Sequence, residues 1–239
     1  MIHLLAQIDY RASVGRTPWH RASAIGKLLL ALLLVACTVA APTLPTLVAL
    51  HALAWLLVLT CGLPWRLVLA AAGYPLVVSA LIVLGRWDGT WITPVMLVVR
   101  PITASLTAAW LVGTTPYPDL FAPISRVLPR RTGDSLFLTY RALFALLARA
   151  ERLVQALRLR GGLEGPVQRR LAVAGDGLGA LVVQGFERSR RLYATMLLRG
   201  HSGRICGCRH YAEPGAADIL VALAGALALA AMVLTWGRP

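Results

Sequence analysis

The feature that most constrains this chain is a set of five apolar runs, each near the length of a bilayer crossing, divided four and one by a long arginine-rich segment. A helix needs about 20 apolar residues to cross the hydrocarbon core. The runs are 24–41, 44–63, 67–84, 91–113 and 216–236. Pro42 and Pro45 force a tight turn after the first. Gly62, Pro64 and Arg66 break the second, and Arg86, Asp88 and Gly89 close the third. Lys27 lies at the edge of the first run, where its stem can snorkel to the interface. Trp65, Trp87, Trp91, Trp110 and Trp236 fall at or near run ends, as an interfacial aromatic belt would place them. Composition agrees: 58% of residues are hydrophobic, against about 45–50% in soluble domains, and the mean hydropathy is +0.69. The first run follows Asp9, Arg11, Arg16 and Arg21 and precedes further runs, so it is expected to be a retained span rather than a cleaved leader.

Charge orients the spans. The formal net charge is +14, and 16 of the 24 basic residues, all arginine, lie in residues 114–214. Seven acids there leave that segment at +9. A basic block between apolar runs favours the cytoplasmic side and anionic headgroups, so membrane lipid is the expected contact and nucleic acid is not. The N-terminal segment is basic too, and four runs between two cytoplasmic segments is an even number. The expected class is therefore all-α: a polytopic membrane bundle of about five transmembrane helices with a cytoplasmic helical insert. Residues 1–113 hold the N-terminal segment and four spans, 114–214 the cytoplasmic helical region, and 215–239 the last span. Leu136 to Leu147 is apolar, but Arg141 interrupts it and it is too short to cross. It is expected to lie at the membrane surface or under the bundle.

The insert is helical in pattern. Gly161, Gly162 and Pro166 divide it, and Gly200 and Gly203 end it. From Leu136 to Arg160, Ala150, Leu153, Val154 and Leu157 share one helical face. From Gln184 to Arg199, Phe186, Tyr193, Met196 and Leu197 make an apolar face, and Glu187 can pair with Arg191. The same ending occurs twice: Leu159-Arg160-Gly161 and Leu198-Arg199-Gly200. Helix capping explains each one singly, since a cation offsets the C-terminal dipole by about 0.3–1 kcal/mol. Repetition at the ends of two amphipathic helices points instead to tips that enter grooves on a partner. Arginine suits that role because its planar fork pairs bidentately with carboxylates.

Arg100 lies near the middle of the fourth run, next to Pro101. A charge there costs about 2.5–3.5 kcal/mol on insertion scales. It implies either a functional, paired residue or a guanidinium that binds carbonyls freed by Pro101 and holds the bundle together. His51 reads as a satisfied helix contact. Cys206-Gly207-Cys208 with His201 and His210 lacks a zinc spacing, so no metal site and no cofactor are assigned. The chain has no phosphate-binding Gly-x-x-x-x-Gly-Lys-Ser/Thr, no His-Glu-x-x-His, no Gly-x-Ser-x-Gly and no close carboxylate pair. A membrane-embedded enzyme would need a polar catalytic cluster, and none is legible. No catalytic residue is assigned.

Three stretches together resemble a known family. They are Thr114-Thr115-Pro116-Tyr117-Pro118-Asp119-Leu120, Leu138-Thr139-Tyr140-Arg141 running on to Leu159-Arg160-Gly161, and Glu187-Arg188-Ser189-Arg190-Arg191 running on to Leu198-Arg199-Gly200. With Ile8-Asp9 and Arg11-Ala12-Ser13 they span most of the chain, and they resemble the transmembrane T component of energy-coupling factor transporters, the CbiQ/EcfT type. The resemblance implies two coupling helices whose Ala-Arg-Gly-like ends dock on two cytoplasmic ATPase subunits. Here those ends are Leu159-Arg160-Gly161 and Leu198-Arg199-Gly200, with leucine in place of the usual alanine. It further implies a substrate-binding membrane subunit as partner, ATP hydrolysis on the ATPase subunits only, and a multi-pass location in the inner (plasma) membrane. The implied cargo is cobalt or nickel, the alternative being a vitamin such as biotin; the rival function is a non-transport membrane scaffold whose arginines face only lipid headgroups.

Overall fold

The computed structural model describes residues 9–85, 89, 91–162, 164–201 and 215–236. They form helices in the order α1 (Pro18–Arg21), α2 (Ala24–Ala40), α3 (Leu44–Cys61), α4 (Trp65–Gly85), α5 (Ile92–Thr114), α6 (Tyr117–Val127), α7 (Arg130–Leu159), α8 (Val167–Leu198) and α9 (Asp218–Trp236). No strand occurs among the described residues. Two compact units result, Met1–Pro123 with Cys208–Pro239, and Ile124–Gly207.

The first unit is a helical membrane bundle. Helices α3, α4, α5 and α9 are long and apolar enough to cross a bilayer. Helix α2 is shorter, 17 residues or about 25 Å at the helical rise, yet it lies among the others. Its register follows from side-chain contacts. Lys27 of α2 reaches Thr114 of α5, and Arg100 of α5 reaches Ala41, so these helices are antiparallel. Ser23 and Gly26 meet Asp218 and Val221, while Leu30 meets Gly225, so α2 and α9 run parallel. His51 of α3 faces Thr103 and Leu63 faces Gly113, so α3 and α5 also run parallel. Helices α2, α4 and α9 thus run one way and α3 and α5 the other. Ser23, Gly62, Thr114 and Asp218 therefore share one face, and Ala41 and Trp91 lie at the other.

Helix α5 is the centre. Leu106 and Trp110 are fully buried, as are Leu34, Leu47, Leu50 and Leu57 from α2 and α3. Its buried threonines return their hydroxyls to its own backbone: Thr103 to Val99 O, Thr107 to Thr103 O and Thr114 to Trp110 O, each at 2.8 Å. With no water in the hydrocarbon, every such group needs a protein partner. Pro75 makes the same demand of α4. Lacking an N–H, it leaves the carbonyl of Ala71 without its helical donor, and Ser105 Oγ of α5 donates to that oxygen at 2.6 Å. Helix α4 is otherwise the lipid-facing edge, with Tyr74, Leu81 and Leu84 all exposed.

Two details differ from the sequence reading. Lys27 does not snorkel. It is buried, 2% exposed, because its stem turns inward to the end of α5. Trp110 is not in an aromatic belt but inside the bundle, edge-on to Trp19 with centroids 5.7 Å apart. Trp65 and Trp91 do sit exposed at helix ends, while Trp87 and the side chain of Trp236 lie outside the described residues. Leu136 to Leu147 lies within the unbroken 30-residue α7.

The second unit is an antiparallel hairpin of α7 and α8. The helices pack closely at Gly177, where an added Cβ would lie 3.2 Å from Leu153 Cδ2 and 3.5 Å from Leu157 Cδ1. Only glycine permits that approach without a shift in its neighbours. Beyond it, Leu143, Leu146, Leu178, Val182 and Phe186 line an open apolar cleft of about 560 Å³.

Candidate functional site

The twin endings in the hairpin have the same geometry. At the end of α7, Gly161 N–H donates to Arg158 O at 3.1 Å and Gly162 N–H to Leu157 O at 2.9 Å. At the end of α8, Gly200 N–H donates to Leu197 O at 3.0 Å and His201 N–H to Met196 O at 3.0 Å. Both are Schellman caps, in which a left-handed residue satisfies the last carbonyls. The left-handed residue is Gly161 at φ +66° and Gly200 at φ +74°. Each arginine is the cap residue itself rather than a member of the last turn, with φ, ψ of −89°, 5° at Arg160 and −91°, 12° at Arg199.

The leucine before each arginine is left in the open. Leu159 is 90% exposed and Leu198 87%. Arg160 and Arg199 are exposed as well. Each tip thus presents one apolar side chain and one guanidinium on a backbone fixed by its cap. The tips are far apart. Arg160 sits at the turn of the hairpin, where Gly162 abuts Val173, and the stretch from Val173 to Arg199 spans about 39 Å at the helical rise. Of the expected faces, Ala150, Leu153 and Leu157 do face α8, whereas Val154 is 41% exposed. Arg191 pairs with Glu187 at 3.2 Å, but both are largely exposed, so the pair adds little.

In the bundle, Arg100 Nη2 donates to Ala41 O at 2.7 Å. The acceptor is the carbonyl at the C-cap of α2, not one freed by Pro101. Arg100 Nε is buried and has no partner among the described residues. His51 is fully engaged. Trp55 Nε1–H donates to His51 Nε2 at 2.9 Å, so the ring proton is on Nδ1, which donates to Thr103 Oγ1 at 2.8 Å. The hydroxyl proton of Thr103 goes to Val99 O. That chain leaves the neutral imidazole no free lone pair for a metal. No group of His, Cys, Asp and Glu that could hold a metal ion occurs among the described residues. Cys206, Cys208 and His210 lie outside them.

Around the N-terminal face, Thr17 Oγ1 and His20 Nδ1 are 2.6 Å apart. Burial and the nearby Lys27 charge push the His20 pKa below the usual histidine value, so the ring is neutral near pH 7. Burial, with the charge of Asp9, pushes the Tyr117 hydroxyl upward. The sequence offered no sign of this polar face beyond its residue types, because the partners come from segments up to 195 positions apart.

No curated protein matches the chain. The family model described as CbiQ, cobalt transport protein, matches residues 15–207, which takes in α1 to α8 and both capped tips. A match over most of the sequence, on a helical membrane bundle with no strand among the described residues, establishes the family: the chain is a multi-pass membrane protein of the CbiQ family, that of the T components of energy-coupling factor transporters.

Proposed function

We propose that this chain is the coupling subunit of an energy-coupling factor importer. Two cytoplasmic ATPase subunits close on ATP and carry Arg160 and Arg199 with them. The hairpin transmits that motion to a substrate-binding membrane subunit beside the bundle. Leu159-Arg160-Gly161 and Leu198-Arg199-Gly200 are the docking tips, and the chain itself hydrolyses no ATP. Cobalt or nickel is the cargo, in keeping with the family's description, and the inner (plasma) membrane is the location, with the hairpin on the cytoplasmic side.

One observation carries the proposal: two rigid, identically capped helix ends, each offering an exposed leucine beside an arginine. Their separation is suited to two separate docking grooves rather than one. A bare lipid scaffold would need basic residues at the membrane, with no reason to repeat one backbone geometry at two distant points. Co-purification tests the assignment. The tagged chain, expressed with its genomic neighbours, is expected to bring down an ATPase and a second small membrane protein. Recovery of the intact chain with lipid alone would refute it.

A further inference from the structure

The chain runs from α5 into the stretch that leads to the second unit and later enters α9, and one buried lysine lies beside the end of α5 and near the start of α9. Lys27 Nζ donates to Thr114 O at 3.1 Å. That oxygen is one of the last carbonyls of α5, which have no partner within the helix. A cation there also meets the negative end of the helix dipole. On the returning side, Asp218 opens α9. Its carboxylate accepts from Ser23 N at 2.7 Å and from Gly215 N at 3.0 Å. Ser23 is the N-cap of α2 and Lys27 lies in the first turn of that helix. Thr114 and Thr115 are almost wholly buried beside it. The first turn of α2 thus grips both ends of the intervening segment, one through a side-chain cation and one through a backbone N–H.

We infer that Lys27 is a positioning residue for coupling: it ties the end of α5 to the first turn of α2, whose Ser23 N–H holds the start of α9, so that movement of the hairpin displaces the bundle instead of flexing the junctions. The inference rests on the coupling function proposed above. A buried cation at this point calls for a role beyond packing, because burying a charge is costly. A bundle that needed only packing would hold a leucine or methionine there.

The test uses the full complex, reconstituted in vesicles with its ATPase and membrane partners, with cobalt(II) as the transported probe. Lys27→Met is expected to assemble with the ATPase subunits and to hydrolyse ATP, while cobalt uptake per ATP falls by about tenfold or more, the factor that 1.4 kcal/mol gives. Lys27→Arg is expected to restore most of the ratio. Asp218→Asn, a milder change at the start of α9, is expected to lower the ratio in the same sense. Where Lys27→Met fails to assemble, the Asp218→Asn ratio decides. An unchanged uptake-to-hydrolysis ratio in assembled Lys27→Met, or in Asp218→Asn, overturns the inference. If the wild-type chain binds no ATPase, the coupling function itself fails instead.

Discussion

At the scale of single residues, Arg160 and Arg199 are distinguished from the other arginines by backbone rather than by charge. Each occupies the cap position of a helix whose next residue is a left-handed glycine. Arg188 lies in mid-helix on an exposed face. An arginine buried in a partner's groove against carboxylates costs about 2–5 kcal/mol to truncate, because the partner charges stay buried and unpaired. Arg160→Ala and Arg199→Ala are each expected to weaken ATPase association by that order, measured by titration of the purified subunits. Arg188→Ala and Arg169→Ala are expected to cost under about 1 kcal/mol. Equal effects at all four would favour non-specific electrostatics. The glycines have a separate expectation. An alanine at Gly161 or Gly200 must adopt positive φ, at a cost of about 1 kcal/mol. Amide exchange in the last turn of the affected helix should then speed up about fivefold, with the other tip unchanged as the internal control.

Among the elements, the spans were legible because long charge-free apolar runs have few alternatives in a folded chain. Their ends were set by Pro42, Gly62, Pro64 and Gly89, and the observed helices start or stop within a few residues of the expected limits. Less was legible where a residue's role depends on a distant partner. Ser105 carries no sign that Pro75 has freed Ala71 O. Lys27 looks like a boundary lysine until the end of α5 is placed beside it. The repeated Leu-Arg-Gly could be read, but the Schellman geometry and the distance between the tips could not. The glycine-rich stretch of α8 was the least legible. Gly175, Gly177, Gly179 and Gly185 argue against helix by propensity, yet they lie inside one 32-residue helix. Gly177 has its reason in the close contact with Leu153 and Leu157. Gly177→Leu should force the helices apart, at a cost of about 1–3 kcal/mol for overpacking. A disulfide between Leu146→Cys and Gly185→Cys, formed readily otherwise, should then form slowly. An unchanged rate would show that the hairpin does not close at Gly177.

For the molecule as a whole, the parallel course of α2 and α9 puts the start of the last span on the face from which the first one departs. Residues 114–214 should then be reachable from that face alone. In a background without native cysteines, Ser135→Cys and Thr43→Cys should label from opposite sides of the membrane, the first from the cytoplasm. Labelling of both from one side would contradict the topology. The purified chain should also show no ATP turnover, since the sequence holds no phosphate-binding loop. Most direct of all is the ATPase stoichiometry of the detergent-solubilised complex, read by native mass spectrometry. Two ATPase subunits per chain are predicted for the wild type, with Arg160→Ala and Arg199→Ala each weakening one contact and the double variant retaining none. A double variant that still carries two ATPase subunits would contradict docking through the capped tips.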